Sequence, residues 1–292
     1  MLKTWRKYGA LYLMMIPVIC YFLVYGYYPL ARGLQISFQD YRLIGNRPYI
    51  GFDNYGTVWH DPNFWKSLTN TLVIGGGSLV CGFLAPLIIA LSLNEVLKSW
   101  FKKTAQMLLY VPHLLSWVVV GGMWIYLLSP DTGLVNLLLQ RTLDIPPVHF
   151  LAESGWARVV MILVATWKDM GYNCILFLAG IVAINPSLYE AARLDGATRW
   201  QQVRYVTLPQ IQSTMKVVLL LNTLGLLRIF DQVFILRNNS TAPDVDVLMY
   251  YTYQKGILDF HVGVAAAASV LVLIFTLLLT LIVRKLTRFD EV

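Results

Sequence analysis

The segment formed by residues 185–209 carries charged and small residues at helical spacing between two apolar runs. Ser187 followed by Glu190 has the spacing of a capping box, which predicts that a short helix starts at about Leu188. Residue types of this kind suit docking to another protein rather than catalysis, because paired alanines leave a flat face with charges at its edges. The residues that would make this contact are Glu190, Ala191, Ala192, Arg193, Asp195 and Arg199.

A turn and a second helix are predicted in the remainder of this segment. Gly196 is a natural residue just after a helix C-terminus, and Thr198 can cap a second helix that ends before Pro209. The pattern therefore predicts two short helices joined by a glycine turn at the membrane surface. An ordinary loop in which Glu190 only caps its own helix is an alternative that spacing alone leaves open.

Ionisable side chains also occur within two apolar runs, where a charge at membrane depth is costly. A rise of about 1.5 Å per residue puts Lys168 and Asp169 about 25 Å from the end of the apolar run that adjoins residues 185–209. Arg228 and Asp231 stand at a similar height in the next run, so we expect both pairs to flank one cavity. Charges near an interface can also snorkel or pair with each other. We expect this cavity to be a solute pathway. Aromatic and amide residues, which suit sugar rings and hydroxyls, would also line it: Trp167, Tyr172, Asn173 and Asn222.

Motifs of several enzyme classes are missing from the sequence. It contains no G-x-x-x-x-G-K-[ST], and its glycine cluster at residues 75–78 lacks the phosphate-binding lysine. We interpret this cluster as a helix-packing surface. The four histidines and three cysteines are scattered without H-x-x-x-H or C-x-x-C spacing, so we expect no metal site and no catalytic residue. His113 is interpreted as a hydrogen-bonded histidine near a helix terminus.

The composition points to a bilayer as the solvent for the elements that hold these residues. Hydrophobic residues make up 57% of the chain and charged residues 13%, outside the usual range for soluble domains. About 20 helical residues cross the roughly 30 Å hydrocarbon layer. We predict an all-α integral membrane protein in a single domain, residues 1–292. Six spans are predicted at 11–30, 71–93, 105–128, 159–184, 210–236 and 262–283.

The distribution of lysine and arginine predicts the orientation of these spans. With the N-terminus inside, residues 1–10, 94–105, 185–209 and 284–292 hold twelve of these residues, whereas the longer outer segments hold eight. We therefore expect both termini and the 185–209 segment in the cytoplasm. The net charge of +7 is then explained by topology, and no nucleic-acid partner is expected.

The 185–209 segment resembles the EAA motif of ATP-binding-cassette (ABC) import permeases. That pattern is Glu-Ala-Ala, three residues, Gly, nine residues, Ile, one residue and Leu-Pro. Val206 replaces the usual isoleucine, a conservative departure. The matching residues are Glu190, Ala191, Ala192, Gly196, Leu208 and Pro209.

Other stretches resemble the carbohydrate-type permeases and, within them, the polysaccharide-type subgroup. They lie at 37–38, 51–55, 61–65, 70–71, 110–113, 116–119, 128–131 and 133–134. The resemblance implies an ABC type I importer permease fold in a bacterial cytoplasmic membrane. The resemblance also implies import of oligosaccharides, including those that contain uronates. A permease for another solute and a membrane scaffold without transport activity are the alternatives.

The resemblance also implies a set of partners. They are a second, similar permease subunit, two ATP-binding-cassette subunits and an extracellular or periplasmic solute-binding protein. The 185–209 segment, with Asp195 and Arg199 at its charged edge, would transmit the ATP-driven movement to the pore. ATP and magnesium would bind the partner ATPase subunits, and this chain would bind no cofactor and would not be an enzyme.

Overall fold

The computed structural model describes residues 2–42 and 44–287. Within these residues the regular elements are helices, apart from one isolated antiparallel bridge between Gln39 and Tyr49. Helices are expected in a bilayer, because each backbone N–H and C=O must find its partner inside the segment. Contacts between residues divide the chain into two compact units, residues 1–61 with 252–271 and residues 62–251 with 272–292.

The first unit contains the N-terminal helices and the start of the last helix. Its helices are α1 (Leu2–Phe22), α2 (Tyr28–Ile36) and α3 (Asp53–His60). The polar segment between α2 and α3 is fixed by buried Asn54, whose side-chain amide donates to the Ser37 and Gln39 carbonyls at 2.9 Å each. A π-helical turn, Leu23–Tyr27, joins the first two helices, and another, Gln254–Leu258, precedes the last.

The second unit holds most of the helices. Its long helices are α4 (Pro62–Asn94), α5 (Ser99–Leu114), α6 (Trp117–Leu127), α7 (Leu134–Leu143), α8 (Ser154–Val182) and α12 (Gln212–Leu226). Its shorter helices are α9 (Pro186–Leu194), α10 (Arg199–Gln202), α11 (Leu208–Gln210), α13 (Asp231–Leu236) and α14 (Ala242–Val245). Two helices, α15 (Leu248–Tyr253) and α16 (Val262–Leu286), run from one unit into the other.

Helices α4, α8 and α12 pack together, and α5 packs along α8. Small residues allow these close contacts, as predicted for the glycine cluster. A Cβ on Gly75 would lie 2.8 Å from the Leu226 carbonyl oxygen, and one on Gly77 would lie 2.4 Å from Ile162 Cδ1. The core beneath the 185–209 segment is a cluster of buried apolar side chains that includes Phe177.

Among the described residues, four helices are long and apolar enough to cross a membrane, and α5 with α6 form a fifth candidate that is bent by 102°. Residues 105–128, which were predicted as one span, are therefore sharply bent. Pro112 lies in the last turn of α5, Leu115 is extended, and the Ser116 side chain caps α6 by accepting from the Val119 N–H at 3.3 Å. Serine is a preferred N-cap residue, so Ser116 was the missed signal of a new helix.

The predicted continuous span at 210–236 is also interrupted. Helix α12 has 15 residues and ends at Leu226, and α13 begins only at Asp231. Phe230 lies outside the helical region with φ −141° and ψ −62°. Arg228 therefore lies within this break and Asp231 directly after it, although both were predicted to lie on one long helix. The structure thus has four or five candidate spans within its described residues rather than six unbroken ones.

Candidate functional site

The 185–209 segment folds into two short helices joined at a glycine, as predicted. Helix α9 starts after Asn185, whose side chain accepts from the Ser187 N–H at 3.0 Å, with Pro186 at the first helical position. The predicted capping box is therefore wrong, because Ser187 already lies inside the helix. Glu190 is exposed and lies more than a turn inside α9, so helix capping does not explain it.

Gly196 makes the turn between the two helices. Its φ of +78° lies in the left-handed region, which glycine adopts without strain, so the predicted role is confirmed. The Ala197 N–H donates to the Ala192 carbonyl at 2.9 Å and closes the end of α9. Thr198 then caps α10 in a capping box with Gln201, which also confirms the prediction.

The helical run that begins with α10 does not end before Pro209, contrary to the prediction. From α10 the chain continues through a π-helical turn, Val203–Thr207, into α11, which contains Pro209. A proline ring clashes with the carbonyl four residues earlier in an α-helix, and the wider π-helical turn relieves this clash. Leu208 is half-buried and packs against the core cluster.

The outer surface of this segment combines charged and apolar side chains. Large apolar residues that the motif did not reveal are strongly exposed there, with Leu194 at 89% and Trp200 and Tyr205 at 69% each. Exposed aromatic residues among charges are typical of protein contact surfaces. Most residues predicted for the coupling segment are also exposed, namely Glu190, Ala191, Asp195, Gly196, Arg199 and Pro209, whereas Ala192 is half-buried.

Hydrogen bonds on the inner side join the two helices to each other and to α4. The Tyr189 hydroxyl lies 2.9 Å from Thr207 Oγ1. The Arg199 guanidinium lies 3.0 Å from a carboxylate oxygen of Glu95, just after the end of α4. Both partners of this ion pair are largely exposed, so it contributes less than about 1 kcal/mol and serves mainly to fix orientation.

A second candidate site is a pocket of about 190 Å³ formed by α4, α8 and α12 together with Ile229 and Gln232. Three of the residues predicted for the solute pathway line it, namely Asp169, Asn173 and Asn222. Asn173 is buried, and its Nδ2 donates to the Gly82 carbonyl at 3.0 Å and to Asn222 Oδ1 at 3.4 Å. These bonds orient both amides toward a shared space.

Three buried polar atoms of this lining have no hydrogen-bond partner within the described residues: Ser78 Oγ, Asn222 Nδ2 and Gln232 Nε2. An unpaired buried polar group costs about 1–3 kcal/mol. A solute hydroxyl that pairs with such groups recovers this cost, so the pocket favours a hydroxyl-rich ligand. Two of these residues were not predicted for the pathway: Ser78, which was interpreted as part of a packing surface, and Gln232, which follows directly after the predicted Asp231.

Three other residues of α8 that were predicted for the pathway contact α5 or α6. Lys168 is 6% exposed, and its Nζ donates to the His113 carbonyl at 3.0 Å and lies 5.5 Å from the Trp117 ring centroid. The Trp167 ring meets the Trp124 ring edge to face at 5.8 Å. Tyr172 stacks on His113. Lys168 thus contacts residues on both sides of the bend between α5 and α6.

Arg228 and Asp231 are both exposed, and neither is among the described residues that line the pocket. Arg228 lies in the break after α12, where its backbone N–H donates to the Gly225 carbonyl at 3.0 Å. Asp231 is the first residue of α13. The structure therefore separates this pair from the amides that it brings together.

A network of ions and amides fixes residues 237–248 to the ends of α4 and α8. Asp244 accepts from the Ser154 hydroxyl at 2.6 Å and lies 3.5 Å from the Arg158 guanidinium. The Ser154 hydrogen bond, followed by nearby Lys66 and Arg158, lowers the pKa of the Asp244 carboxyl below its usual value, although partial burial opposes this. No group of three or more His, Cys, Asp or Glu residues that could hold a metal occurs in residues 2–42 and 44–287.

The hydrogen bonds that the Arg237 guanidinium donates to the Asp246 carboxylate raise the pKa of this guanidinium. The two side chains form a close ion pair, with Arg237 Nε 2.6 Å from Asp246 Oδ1. The network therefore holds the connection that follows α13 in one conformation.

Comparison with known proteins decides the family. Residues 82–289 match the family of the binding-protein-dependent transport system inner membrane component. The chain belongs to this family. The matched range of this binding-protein-dependent transport component includes the segment 185–209, helices α8 and α12 and the C-terminal part of α4.

Relatives in this transport family match nearly the whole chain. Protein LplB of Bacillus subtilis (strain 168) is 37% identical over 85% of this chain and 78% of its own length. The polygalacturonan/rhamnogalacturonan transport system permease protein YteP of the same strain is 35% identical over 97% of this chain and 88% of its own. Among solved structures, a bacterial ABC transporter involved in the import of the acidic polysaccharide alginate matches with a TM-score of 0.91.

That structural match is 35% identical in sequence and covers 98% of this chain and 97% of the other. The fold is therefore that of an ABC type I importer permease. The resemblance drawn from the EAA motif is confirmed.

Proposed function

We propose that this chain is the permease subunit of an ATP-dependent importer for oligosaccharides and forms half of its translocation pathway. The observation that carries the proposal is the likeness, over 98% of the chain, to a transporter that imports an acidic polysaccharide. YteP, named for polygalacturonan and rhamnogalacturonan transport, supports the same class of solute.

The chemistry of the pocket agrees with a carbohydrate. Amide and hydroxyl groups of Ser78, Asn173, Asn222 and Gln232 converge on it, and sugars carry hydroxyls that both donate and accept. Asp169 adds a carboxylate oxygen that can accept a hydrogen bond from a hydroxyl. In our proposal the solute crosses the membrane beside these groups, and Trp167, Lys168, Tyr172, Arg228 and Asp231 belong to the surrounding pathway.

The 185–209 segment is proposed as the contact with an ATPase subunit. Exposed Trp200 and Leu194 supply apolar area, and Glu190 and Arg199 supply charges at its edge. An ion pair joins Arg199 to Glu95 beside the end of α4, and Tyr189 and Leu208 pack against the core cluster, so in our proposal a force on this surface reaches the helices that form the pocket. ATP and magnesium bind the partner subunits, and this chain contributes no catalytic residue.

We further propose six membrane crossings within one permease domain, with both termini in the cytoplasm. In this topology α5 with α6 form one bent crossing, and α12 with α13 form one broken crossing. The excess of lysine and arginine in the segments assigned to the cytoplasm supports it. A cysteine at Ser187 should be labelled only from the cytoplasm and one at Asn63 only from outside, so labelling of both from one side would refute it.

Co-purification tests the proposed assembly. The chain, isolated from the cytoplasmic membrane of its native bacterium, should carry a second permease, ATP-binding-cassette subunits and, with solute, a solute-binding protein. Mass spectrometry identifies the proteins and any bound glycan. Recovery of the chain without ATPase subunits would contradict the proposal.

A further inference from the structure

His113 contacts three residues of the proposed solute pathway at once. Its Nδ1 lies 3.0 Å from Asp169 Oδ1. Its ring stacks on the Tyr172 ring, with centroids 4.9 Å apart and planes at 17°. Its backbone carbonyl accepts from Lys168 Nζ at 3.0 Å. All three partners lie on α8, whereas His113 lies at the end of α5, where the chain bends.

The position of His113 relative to α8 is fixed by close backbone packing. A Cβ on Gly171 would lie 2.1 Å from the Leu109 carbonyl oxygen and 2.6 Å from Tyr110 Cα, so the two helices touch backbone to backbone. The buried ring of Pro112 precedes the histidine directly. His113 therefore has little freedom to move independently of α8.

The hydrogen bond between His113 and Asp169 determines which imidazole nitrogen carries a hydrogen and which carboxylate oxygen stays free. A carboxylate only accepts hydrogen bonds, so Nδ1 of His113 carries the hydrogen and donates it to Asp169. One carboxylate oxygen is thereby occupied, and the second stays available to a hydroxyl in the pocket that Asp169 lines. The imidazole ring covers one face of Tyr172 and restricts its rotation.

We propose that His113 is a positioning residue of the solute pathway, which holds the Asp169 carboxylate at the pocket and the Tyr172 ring beside it. The inference rests on the proposed function, because the pocket must be part of the route of the solute. From the sequence alone, His113 was interpreted only as a hydrogen-bonded histidine near a helix terminus.

The test uses the complete transporter in proteoliposomes, with its own binding protein and ATPase subunits. The probe is a defined mixture of neutral and uronate-containing oligosaccharides, and the readout is oligosaccharide taken up per ATP hydrolysed. His113→Phe keeps a ring against Tyr172 but lacks the donor, and should lower this ratio about tenfold. His113→Asn supplies a donor near the Nδ1 position and should restore most of it. The control is His149→Phe at an exposed loop position, which should leave the ratio unchanged.

A double-mutant cycle shows whether His113 acts through the carboxylate. In an Asp169→Asn background, His113→Phe should cause little further loss. Additive losses, or parental uptake by His113→Phe alone, would overturn the inference while leaving the proposed pathway intact. Parental uptake by Asp169→Asn would overturn both, because the pocket would then not contact the solute.

Discussion

Replacing Gly196 with valine should disconnect ATP hydrolysis from transport. Gly196 has φ +78° at the turn between α9 and α10. An L residue in this region costs about 1–2 kcal/mol, and a β-branched one about 1–3 kcal/mol. A Cβ there meets no atom within 4 Å, so backbone strain is the whole effect within this chain.

This strain changes the population of the native turn substantially. Because about 1.4 kcal/mol corresponds to a factor of ten, the ratio of the native turn to other backbone conformations should fall about 5- to 150-fold. The exposed Trp200 and Arg199 of α10 would then point away from their positions in the native surface. The turn lies outside the core cluster, so insertion and folding of the other helices should persist.

The assay measures oligosaccharide uptake, ATP hydrolysis and ATPase co-purification in reconstituted complexes. Gly196→Val should reach the membrane at near-parental amounts, yet bind the ATPase weakly or hydrolyse ATP without uptake. Gly196→Asn should be milder, because asparagine tolerates positive φ better. Gly155→Val is the matched control, since its Cβ also meets open space without a positive φ. Equal uptake by the parent and Gly196→Val would refute the proposed role of the turn.

Three further outcomes are expected. Glu190→Ala should fold normally, because Glu190 does not cap α9, but should lower uptake per ATP about tenfold through loss of a charge-assisted contact; normal coupling would contradict this. Gly171→Ala should lower stability by about 1–3 kcal/mol through overpacking, whereas Gly122→Ala, with open space at its Cβ, should not; thermal unfolding in detergent compares them. Because the folded state lowers the pKa of the Asp244 carboxyl below its usual 3.8, the ionised carboxylate stabilises the fold at pH values above 3.8. This stabilisation should be lost as the pH falls through the pKa of Asp244 in the folded state. Asp244→Asn should therefore abolish this part of the pH dependence of the free energy of unfolding.

Much of the helical architecture could be predicted from the sequence because a bilayer imposes long apolar helices. What failed was the continuity of two spans. Pro112 and Ser116 mark a helix end and a new start, but their signal is hidden in a run without charges. Residues 227–230 break α12 from α13 without a proline, and this break depends on tertiary packing that periodicity does not contain.

The 185–209 segment was the more predictable of the two sites, because its turn chemistry is local. Gly196 and Thr198 have their predicted roles, whereas the helix start was misplaced because Ser187 was preferred to Asn185 as the cap. The pocket was only partly predictable. Asp169, Asn173 and Asn222 line it, but Gln232 comes from beyond the break, and the helix packing that unites them is not local.

ATP-dependent uptake by the purified complex tests the central claim most directly. The chain should be reconstituted in proteoliposomes with the permease, ATPase and binding-protein partners that co-purify with it. With ATP enclosed on the ATPase side, an oligosaccharide bound by that binding protein should accumulate across the membrane, and Glu190→Ala should reduce this accumulation. Oligosaccharide binding and ATP hydrolysis without any ATP-dependent accumulation would contradict the assignment of this chain as the permease of an oligosaccharide importer.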